Sequence, residues 1–589
     1  MMKRLALTAA IALVATGSAY AQGSALAWVQ RSNADAKPLL DVLGQFNPEN
    51  ASQIGLAAYD DQVSDLKPNV DARQRAALVA VKGKLQSALA TEKDPNVRQD
   101  LQIMIHATDL DIEGIDLNHK YMLPYQDVGQ LIFNGEFALL NDEVDARRKP
   151  HALNRLECYV GKAPGCTPII TLAEAQTSER LSDPHLLGPY KGNVDQQLSN
   201  SARYAQGVRQ LFAKYKLDNA QSKAALDALD AQLKAYDTWV RTTIVPRQRN
   251  DFRLPEPLYT YNLKQVGLDI SPEDLIKQAQ LEFVEVRSAM QTLAPVVAKD
   301  EGIKATDYRD VLKALKQQQL GKNDVEPWYH QVIGKIEDII RREHIVTLPQ
   351  RAMQMRVASE AETAAEPAPH MDPPPLINNH GEHGTFVLTM GNPANHGDAS
   401  ASYDDFTFKA AAWTLTAHEG RPGHELQYSA MVERGVSLAR SLFAFNSVNV
   451  EGWALYAEAE MLPYEPPAGQ FVTLQLRMLR AARAFLDPML NLGLITKERA
   501  HDVLRYDVGL SEAMTREELD RYTFNSPGQA TAYFYGYMRI EQLRLQTELA
   551  LGKNFNRQAF NDFIIAQGLL PPDQLAEAVR TQFIPSQKK

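Results

Sequence analysis

Two histidines and a glutamate in the segment FKAAAWTLTAHEGRPGHELQYSAMVERG have residue types and a spacing that favour metal chemistry. His418 is followed directly by Glu419, and His424 comes six residues after His418. In zinc hydrolases, two imidazoles of one helix bind the metal while the glutamate acts as base for a metal-bound water. Six residues of an ideal helix leave the two side chains about 120° apart. We expect Arg421-Pro422-Gly423 to distort the helix and bring His424 round to the metal.

A third ligand is expected from the segment SVNVEGWALYAEAE, which begins 23 residues after His424. Catalytic zinc takes three protein ligands and leaves one position for water. Glu451 and Glu458 lie seven residues apart, hence on one helix face, in an otherwise apolar segment. Glu451 is the expected ligand, whereas Glu458 and Asn449 are expected to orient the ligands from behind. The alternative is a pair of capped helices whose acids and histidines lie on a solvated face.

Four more histidines surround a proline-rich stretch. Residues 358–384 combine prolines with small residues, which predicts an extended connector without regular helix. Thr385 to Met390 is β-prone and predicts a short strand. His370, His380, His383 and His396 lie around it, and we interpret them as solvated loop residues because they lack ligand spacing on a regular element. A second metal site is the alternative.

The first residues have the layout of a secretory signal peptide. Lys3 and Arg4 precede an apolar run too short to span a bilayer, and small residues at Ala19 and Ala21 precede Gln22. We predict cleavage after Ala21, export to the periplasm or the medium, and no membrane anchor. Removal of residues 1–21 changes the net charge from −10 to −12. A chain this acidic, without a basic face, argues against a nucleic-acid partner.

The two cysteines, Cys158 and Cys166, lie eight residues apart. In an oxidising compartment such a pair favours a disulfide across the loop, and a catalytic or metal-binding cysteine is the weaker alternative. Most of the remaining chain repeats apolar residues at intervals of three and four, which predicts helices. Ser271-Pro272-Glu273-Asp274, for instance, predicts a helix start.

Three segments together resemble the bacterial family called domain of unknown function 885. They are HEGRPGHELQ, EGWALYAE and RYTFNSPGQATAYFYG, and the likeness is specific over about residues 385–545. Members of that family look like zinc metallopeptidases of the neurolysin and angiotensin-converting-enzyme type. The resemblance implies a mainly α, two-lobed helical body around a deep groove, with zinc at its floor and a short substrate-aligning strand. We therefore predict a helical scaffold lobe at 22–357, a connector at 358–384 and a zinc-binding catalytic lobe at 385–589.

The resemblance also assigns roles. His418, His424 and Glu451 match the metal ligands and Glu419 the general base, while Tyr533 matches a tyrosine that stabilises the oxyanion. Packing as an ordinary helix aromatic is the alternative for Tyr533. A substrate-binding role is expected for Arg521, Tyr522 and Gln529, since a guanidinium suits a peptide carboxylate.

One segment departs from the family pattern. Asp487-Pro488-Met489-Leu490-Asn491 stands where the family more often has Asp-Thr-Gly-Leu-His. A changed specificity or rate is expected if that histidine touches substrate. Arg477, Arg480 and Arg483 lie three apart on the same predicted helix, and a surface face and an anion site fit them equally well.

The expected activity is hydrolysis of peptide bonds in short peptides by metal-activated water, with zinc as cofactor and cleavage near a terminus, as in a carboxypeptidase or another exopeptidase. A zinc hydrolase of a non-standard amide or isopeptide bond would use the same ligands. A binding protein with a vestigial metal site is the third hypothesis, although binding alone gives Glu419 no role as a base.

Overall fold

A computed structural model describes residues 12–321, 323–390 and 403–588 of the 589-residue chain, with side chains from residue 27 onward. Residues 1–11 of the predicted signal peptide and His396 lie outside the described residues. Residues 12–21 belong to the first helix.

The protein is mainly α, as the sequence predicts. The helices before the sheet are α1 (Ala12–Phe46), α2 (Pro48–Gln53), α3 (Val70–Thr91), α4 (Pro95–Tyr121), α5 (Val128–Phe137), α6 (His151–Tyr159), α7 (Ile169–Arg180), α8 (Lys191–Lys214), α9 (Ala220–Trp239), α10 (Glu256–Gln265), α11 (Pro272–Asp300), α12 (Tyr308–Lys316) and α13 (Val325–Arg342). Within and after the sheet come α14 (Glu360–Ala365), α15 (Ala411–Leu415), α16 (His424–Arg434), α17 (Ser447–Met461), α18 (Pro467–Asn491), α19 (Lys497–Asp502), α20 (Glu512–Asp520), α21 (Ala532–Leu551), α22 (Arg557–Ala566), α23 (Pro572–Ala578) and α24 (Ile584–Gln587).

Local sequence signals account for several of these boundaries. Ser271 caps α11 by accepting a hydrogen bond from the Asp274 backbone N–H, and Pro272 occupies the first turn, as predicted. The predicted disulfide between Cys158 and Cys166 is confirmed, with the Cα atoms 5.1 Å apart. It closes the loop that follows α6.

Apolar side chains form three buried clusters. One unites α1, α3 and α4, and a second unites α5 to α9 with α14. The largest extends mainly from Leu275 to Phe583, and in it α11 packs along α18. This largest cluster joins α11 to α13 with the helices after residue 411, so the packing crosses the predicted boundary at 358–384.

A three-stranded sheet lies against the helices, with strands β1 (Gln354–Val357), β2 (His370–Asp372) and β3 (Thr385–Leu388) in the order β1-β3-β2. β3 is the strand predicted from sequence, and it is central and fully buried, parallel to β1 and antiparallel to β2. Because both edges of β3 are paired, it has no free edge for a substrate backbone. β2 is an edge strand, and it contacts the turn that carries His418.

The prediction that residues 358–384 lack regular helix was wrong. The segment contains α14 and β2. Ser359 and Glu362 form a reciprocal capping box that starts α14, and this Ser-x-x-Glu signal was present in the sequence. The prolines lie after α14, where they no longer interrupt it.

None of the helices in the described ranges is long and apolar enough to cross a membrane.

Candidate metal centre

The two histidines come from the ends of two different helices. A π-helical turn, Thr416–Gly420, extends α15 and carries His418, and Arg421 then leaves the helix with φ −118° and ψ 134°. The Arg421–Pro422 peptide is cis, and α16 begins at His424. The expectation of one distorted helix is therefore corrected. The helix ends before Pro422 and a new helix starts at His424, because a proline cannot continue the helical hydrogen-bond pattern.

Neighbouring contacts fix this break. A Cβ on Gly423 would lie 1.9 Å from the carbonyl oxygen of His418, so a side chain at Gly423 is excluded. The buried Arg421 guanidinium donates hydrogen bonds to Glu425, Glu337 and the Arg351 carbonyl oxygen at 2.6–2.7 Å. Trp453 of α17 donates its indole N–H to the Pro422 carbonyl at 2.9 Å. The contacts of Arg421 and the hydrogen bond from Trp453 to Pro422 together fix the position of His424 relative to α17.

His418, His424 and Glu451 present their ligand atoms to one point. The Nε2 atoms of both histidines lie 3.4 Å from Oε2 of Glu451, and all three ligand atoms lie within 4.8 Å of one another. Oε2 of Glu451 is buried and has no hydrogen-bond partner among the described residues. Tetrahedral zinc with bonds of 2.0–2.1 Å separates its ligand atoms by about 3.3 Å. The donor set and its spacing therefore fit a zinc ion.

The electrostatics of the cluster favour a cation. Burial alone would raise the pKa of Glu451, but the adjacent His418 and His424 imidazoles hold it well below its ordinary value. Burial opposes protonation of His418, yet Glu419, Glu451 and Glu458 raise its pKa to about 9. Three carboxylates thus surround two imidazoles, and a divalent cation would replace the protons that otherwise balance them.

Glu458 lies behind His418, as predicted. Its Oε1 accepts a hydrogen bond from Nδ1 of His418 at 2.7 Å, which directs Nε2 to the metal position. Its Oε2 accepts a hydrogen bond from Thr414 at 3.0 Å. The Asn449 side chain accepts a hydrogen bond from Gln427 of α16 at 3.0 Å and donates one to the Leu570 carbonyl oxygen at 2.8 Å. Asn449 therefore joins α16 to α17 instead of orienting a ligand directly.

Glu419 and the three ligands line a cavity of 460 Å³. Glu419 is 7% exposed, and its Oε1 lies 3.8 Å from Nε2 of His418. A carboxylate this close to a ligand atom can take a proton from a water bound to the metal. Glu419, the predicted general base, therefore lies in one cavity with the three candidate ligands.

Tyr533 lines the same cavity, beside the metal ligands. Its ring stacks on His418 with centroids 6.1 Å apart, and its hydroxyl accepts a hydrogen bond from Arg521 at 2.8 Å. Burial raises the pKa of Tyr533 in spite of Arg521, so the hydroxyl stays protonated and can donate. Gln529 accepts a hydrogen bond from Nε of Arg521 at 3.1 Å, and both residues line the cavity.

Two glycines set the position of Tyr533 relative to Glu451. A Cβ on Gly452 of α17 would lie 2.5 Å from the backbone of Gly536, and a Cβ on Gly536 of α21 would lie 1.9 Å from the Val448 carbonyl oxygen. The backbones of α17 and α21 are therefore in direct contact.

Tyr522 is not brought to the cavity, which corrects its predicted substrate contact. It is fully buried, and its hydroxyl donates to Glu518 at 2.5 Å. Asn491, at the position of the family's histidine, also lies outside the cavity lining. Its side chain donates to Asp487 and to the Tyr522 carbonyl oxygen at 3.0–3.1 Å. Asn491 thus links α18 to the segment that contains Tyr522 and does not line the cavity.

Three residues that line the cavity were not among the predicted site residues. Arg480 and Arg483 are 6% and 4% exposed, so the surface interpretation was wrong for both. His370, interpreted as a solvated loop residue, lies in β2 and lines the same cavity as the metal ligands. The pairing of β2 with β3 brings His370 there, and a three-residue strand leaves almost no periodic signal in the sequence.

Two solved structures share this fold. One is a "putative lipoprotein" from Colwellia psychrerythraea, with a TM-score of 0.76 and 18% identity over 94% of this chain and 99% of that chain. The other is described as a "putative lipoprotein of unknown function" from Shewanella oneidensis, with a TM-score of 0.70, 18% identity and the same coverage of both chains. The curated proteins contain no match. A family model described as "Bacterial protein of unknown function (DUF885)" matches residues 48–579, and the chain therefore belongs to that family.

Proposed function

We propose that the protein is a zinc-dependent metallopeptidase that hydrolyses peptide bonds of short peptides. The observation that carries this proposal is the convergence of His418, His424 and Glu451 beside Glu419 at the wall of a cavity, with Oε2 of Glu451 3.4 Å from Nε2 of each histidine. Binding alone would require the three ligands but not an acid placed to move a proton.

The roles of the residues follow from their positions. His418, His424 and Glu451 would hold the zinc ion, which when bound supplies the Lewis acidity that activates water and polarises a carbonyl group. Glu419 takes the proton of the attacking water and returns it to the leaving amine. Tyr533 donates its hydroxyl hydrogen to the negative charge that develops on the carbonyl oxygen. Arg521 occupies a lone pair of that hydroxyl and thereby fixes its direction.

The surroundings of the cavity favour a short, extended substrate. The cavity shares Phe445, Ser526 and Gln529 with an adjoining cavity of 890 Å³. On the other side it shares Glu366, His370 and Pro373 with one of 430 Å³. A peptide can thus approach the metal ligands from open space, whereas a folded protein could not reach a site whose groups are this deeply buried.

We also propose that the protein is exported to the cell envelope or beyond. Disulfides such as Cys158–Cys166 form and persist in oxidising compartments. The names of the two solved relatives, as lipoproteins, support an envelope location.

Metal analysis and peptide digestion of the purified protein test the activity. We expect about one zinc per chain and cleavage products from a library of short peptides, read by mass spectrometry. The Glu419→Gln variant is the matched control, and its products should be absent although its zinc is retained. Equal cleavage by both proteins would exclude the proposed role of Glu419.

A further inference from the structure

Arg480 of α18 is a buried arginine whose hydrogen bonds the protein leaves incomplete. Its side chain is 7% exposed, and its Nε has no hydrogen-bond partner among the described residues. One terminal nitrogen donates to the Leu476 carbonyl oxygen at 3.4 Å, and the other donates to Oε1 of Glu458 at 3.5 Å. Both distances are at the long limit of a hydrogen bond. Such a group is costly to bury unless a ligand completes its contacts.

The wall around Arg480 carries an excess of positive charge. The guanidinium carbons of Arg480, Arg483 and Arg521 lie 5.9, 4.5 and 5.3 Å from the centroid of the Tyr533 ring. Glu518 forms a two-point ion pair with Arg483, and one of its oxygens lies 3.9 Å from Arg521. Glu458 is shared between Arg480 and His418. Among these groups, three guanidinium groups thus face one fully engaged carboxylate and one shared carboxylate.

The position of Arg480 distinguishes the group that it would bind. Arg480 reaches His418 only through Glu458, which contacts the Nδ1 side of the ring, whereas the metal position lies on the Nε2 side. In the proposed mechanism, the Tyr533 hydroxyl donates a hydrogen bond to the reacting carbonyl oxygen. Arg480 is therefore placed for a charged group that lies beside the scissile bond, not for the bond itself.

We propose that Arg480 binds the C-terminal carboxylate of the peptide substrate, which makes the enzyme a carboxypeptidase that acts within a residue or two of that end. This inference rests on the proposed peptidase function. A guanidinium presents paired N–H donors that match the two oxygens of a carboxylate. Arg480 and the metal ligands line one cavity of 460 Å³, so one short peptide segment can reach both.

A binding measurement on protein that cannot turn over separates this inference from the activity. In the zinc-loaded Glu419→Gln protein, isothermal titration calorimetry compares acetyl-Ala-Ala-Phe as the free acid with the same peptide as its C-terminal amide. We expect the acid to bind about tenfold more tightly or better, since a hydrogen bond to a charged group contributes more than a neutral one. Acetyl-Ala-Ala-Glu amide, whose only carboxylate is in the side chain, should bind like the other amide.

Variants at two positions of α18 assign the effect. Arg480→Gln should reduce the acid to the affinity of the amide, and Arg480→Lys should leave a smaller preference, because a lysine keeps the charge but lacks the paired donors. Arg477→Gln is the matched control. Arg477 lies one turn earlier, pairs with Glu282 at 2.6 Å and does not line the cavity, so the preference should be unchanged.

Zinc content and melting temperature are measured for each variant, and Arg480→Lys alone decides the question if Arg480→Gln does not fold. Equal affinity for acid and amide, no detectable binding of the acid, or a preference that survives in the Arg480 variants would overturn the inference. Tight binding of the side-chain acid would reassign the group to an acidic residue of the substrate. If the wild type cleaves no peptide while the acid preference depends on Arg480, the carboxylate site stands and the peptidase proposal fails.

Discussion

Two walls of one cavity differ in how they are built. The metal-side wall consists of His418, Glu419, His424 and Glu451, with Glu458 behind His418, and the arginine wall consists of Arg480, Arg483, Arg521 and Tyr533. Carboxylates dominate the first wall, and its ligand atoms converge on a point suited to a cation. Guanidinium groups dominate the second, where Arg480 lacks a full set of acceptors.

The difference shows that the two walls of the cavity favour groups of opposite charge. A substrate with a polarisable carbonyl and a nearby negative charge would satisfy both walls at once. Each wall also stabilises the other, because Glu458 contacts His418 on one side and Arg480 on the other. The predictions below test the two walls separately, beginning with the largest expected effect.

Removal of a metal ligand should abolish the function of the metal-side wall. His418→Ala, His424→Ala and Glu451→Ala each remove one of three protein ligands, so we expect loss of zinc and of measurable activity. Metal content after dialysis and peptide cleavage measure both effects. His330→Ala is the control, because His330 is exposed and pairs only weakly with Glu326 at 3.8 Å. Full zinc content in Glu451→Ala would show that another acid is the ligand.

Glu419→Gln should separate the base from the ligands. The amide has nearly the same shape but cannot accept the proton, so we expect turnover to fall by about 10²–10⁴ with zinc retained. Steady-state kinetics and metal analysis of the same preparation provide the test. Turnover within a few-fold of wild type would exclude Glu419 as the base.

Tyr533→Phe tests the arginine wall. It removes one donor to the oxyanion, which typically costs about 10²–10³ in kcat, and it leaves the ring on His418 in place. We expect little change in KM, zinc content or melting temperature. Tyr537→Phe serves as the control, because Tyr537 of the same helix packs on Arg477 and does not line the cavity. A defect confined to KM would indicate that the hydroxyl binds the ground state.

Glu458→Gln tests the residue shared by the two walls. The variant keeps a hydrogen-bond acceptor for His418 but loses the charge, and changes of this kind typically weaken metal binding by about 10–100-fold. Competition with a chelator measures the zinc affinity. An unchanged affinity would mean that the 2.7 Å contact with His418 is structural only.

The smallest effect on activity is expected far from either wall. Replacing Cys158 and Cys166 by Ser removes the constraint on a loop of about eight residues, which should cost about 2–3 kcal/mol of stability. Cleavage rates at low temperature should be unchanged, because neither residue lines the cavity. Thermal unfolding is the measurement, and a loss of zinc in the double variant would contradict this separation.

Local patterns in the sequence were enough to predict many helices, the disulfide and the candidate metal site of this protein. Apolar spacing and the Ser271 cap predicted helices, and the cysteine spacing predicted the disulfide. His418, Glu419, His424 and Glu451 could be proposed as a metal site with a neighbouring base because they lie in short motifs of recognisable spacing. These features depend on contacts between residues that are close in the sequence, so local sequence patterns predict them.

Tertiary structure alone decided how those residues meet. The sequence indicated a distorted helix between His418 and His424, but the structure has two separate helices there. The geometry of the link between them depends on the hydrogen bonds from Arg421 to Glu337 and from Trp453 to the Pro422 carbonyl oxygen. Burial of Arg480 and Arg483 depends on the packing of α18 against its neighbours. A helix heptad shows which residues share a face, but which neighbour covers that face is set by contacts between residues far apart in the chain.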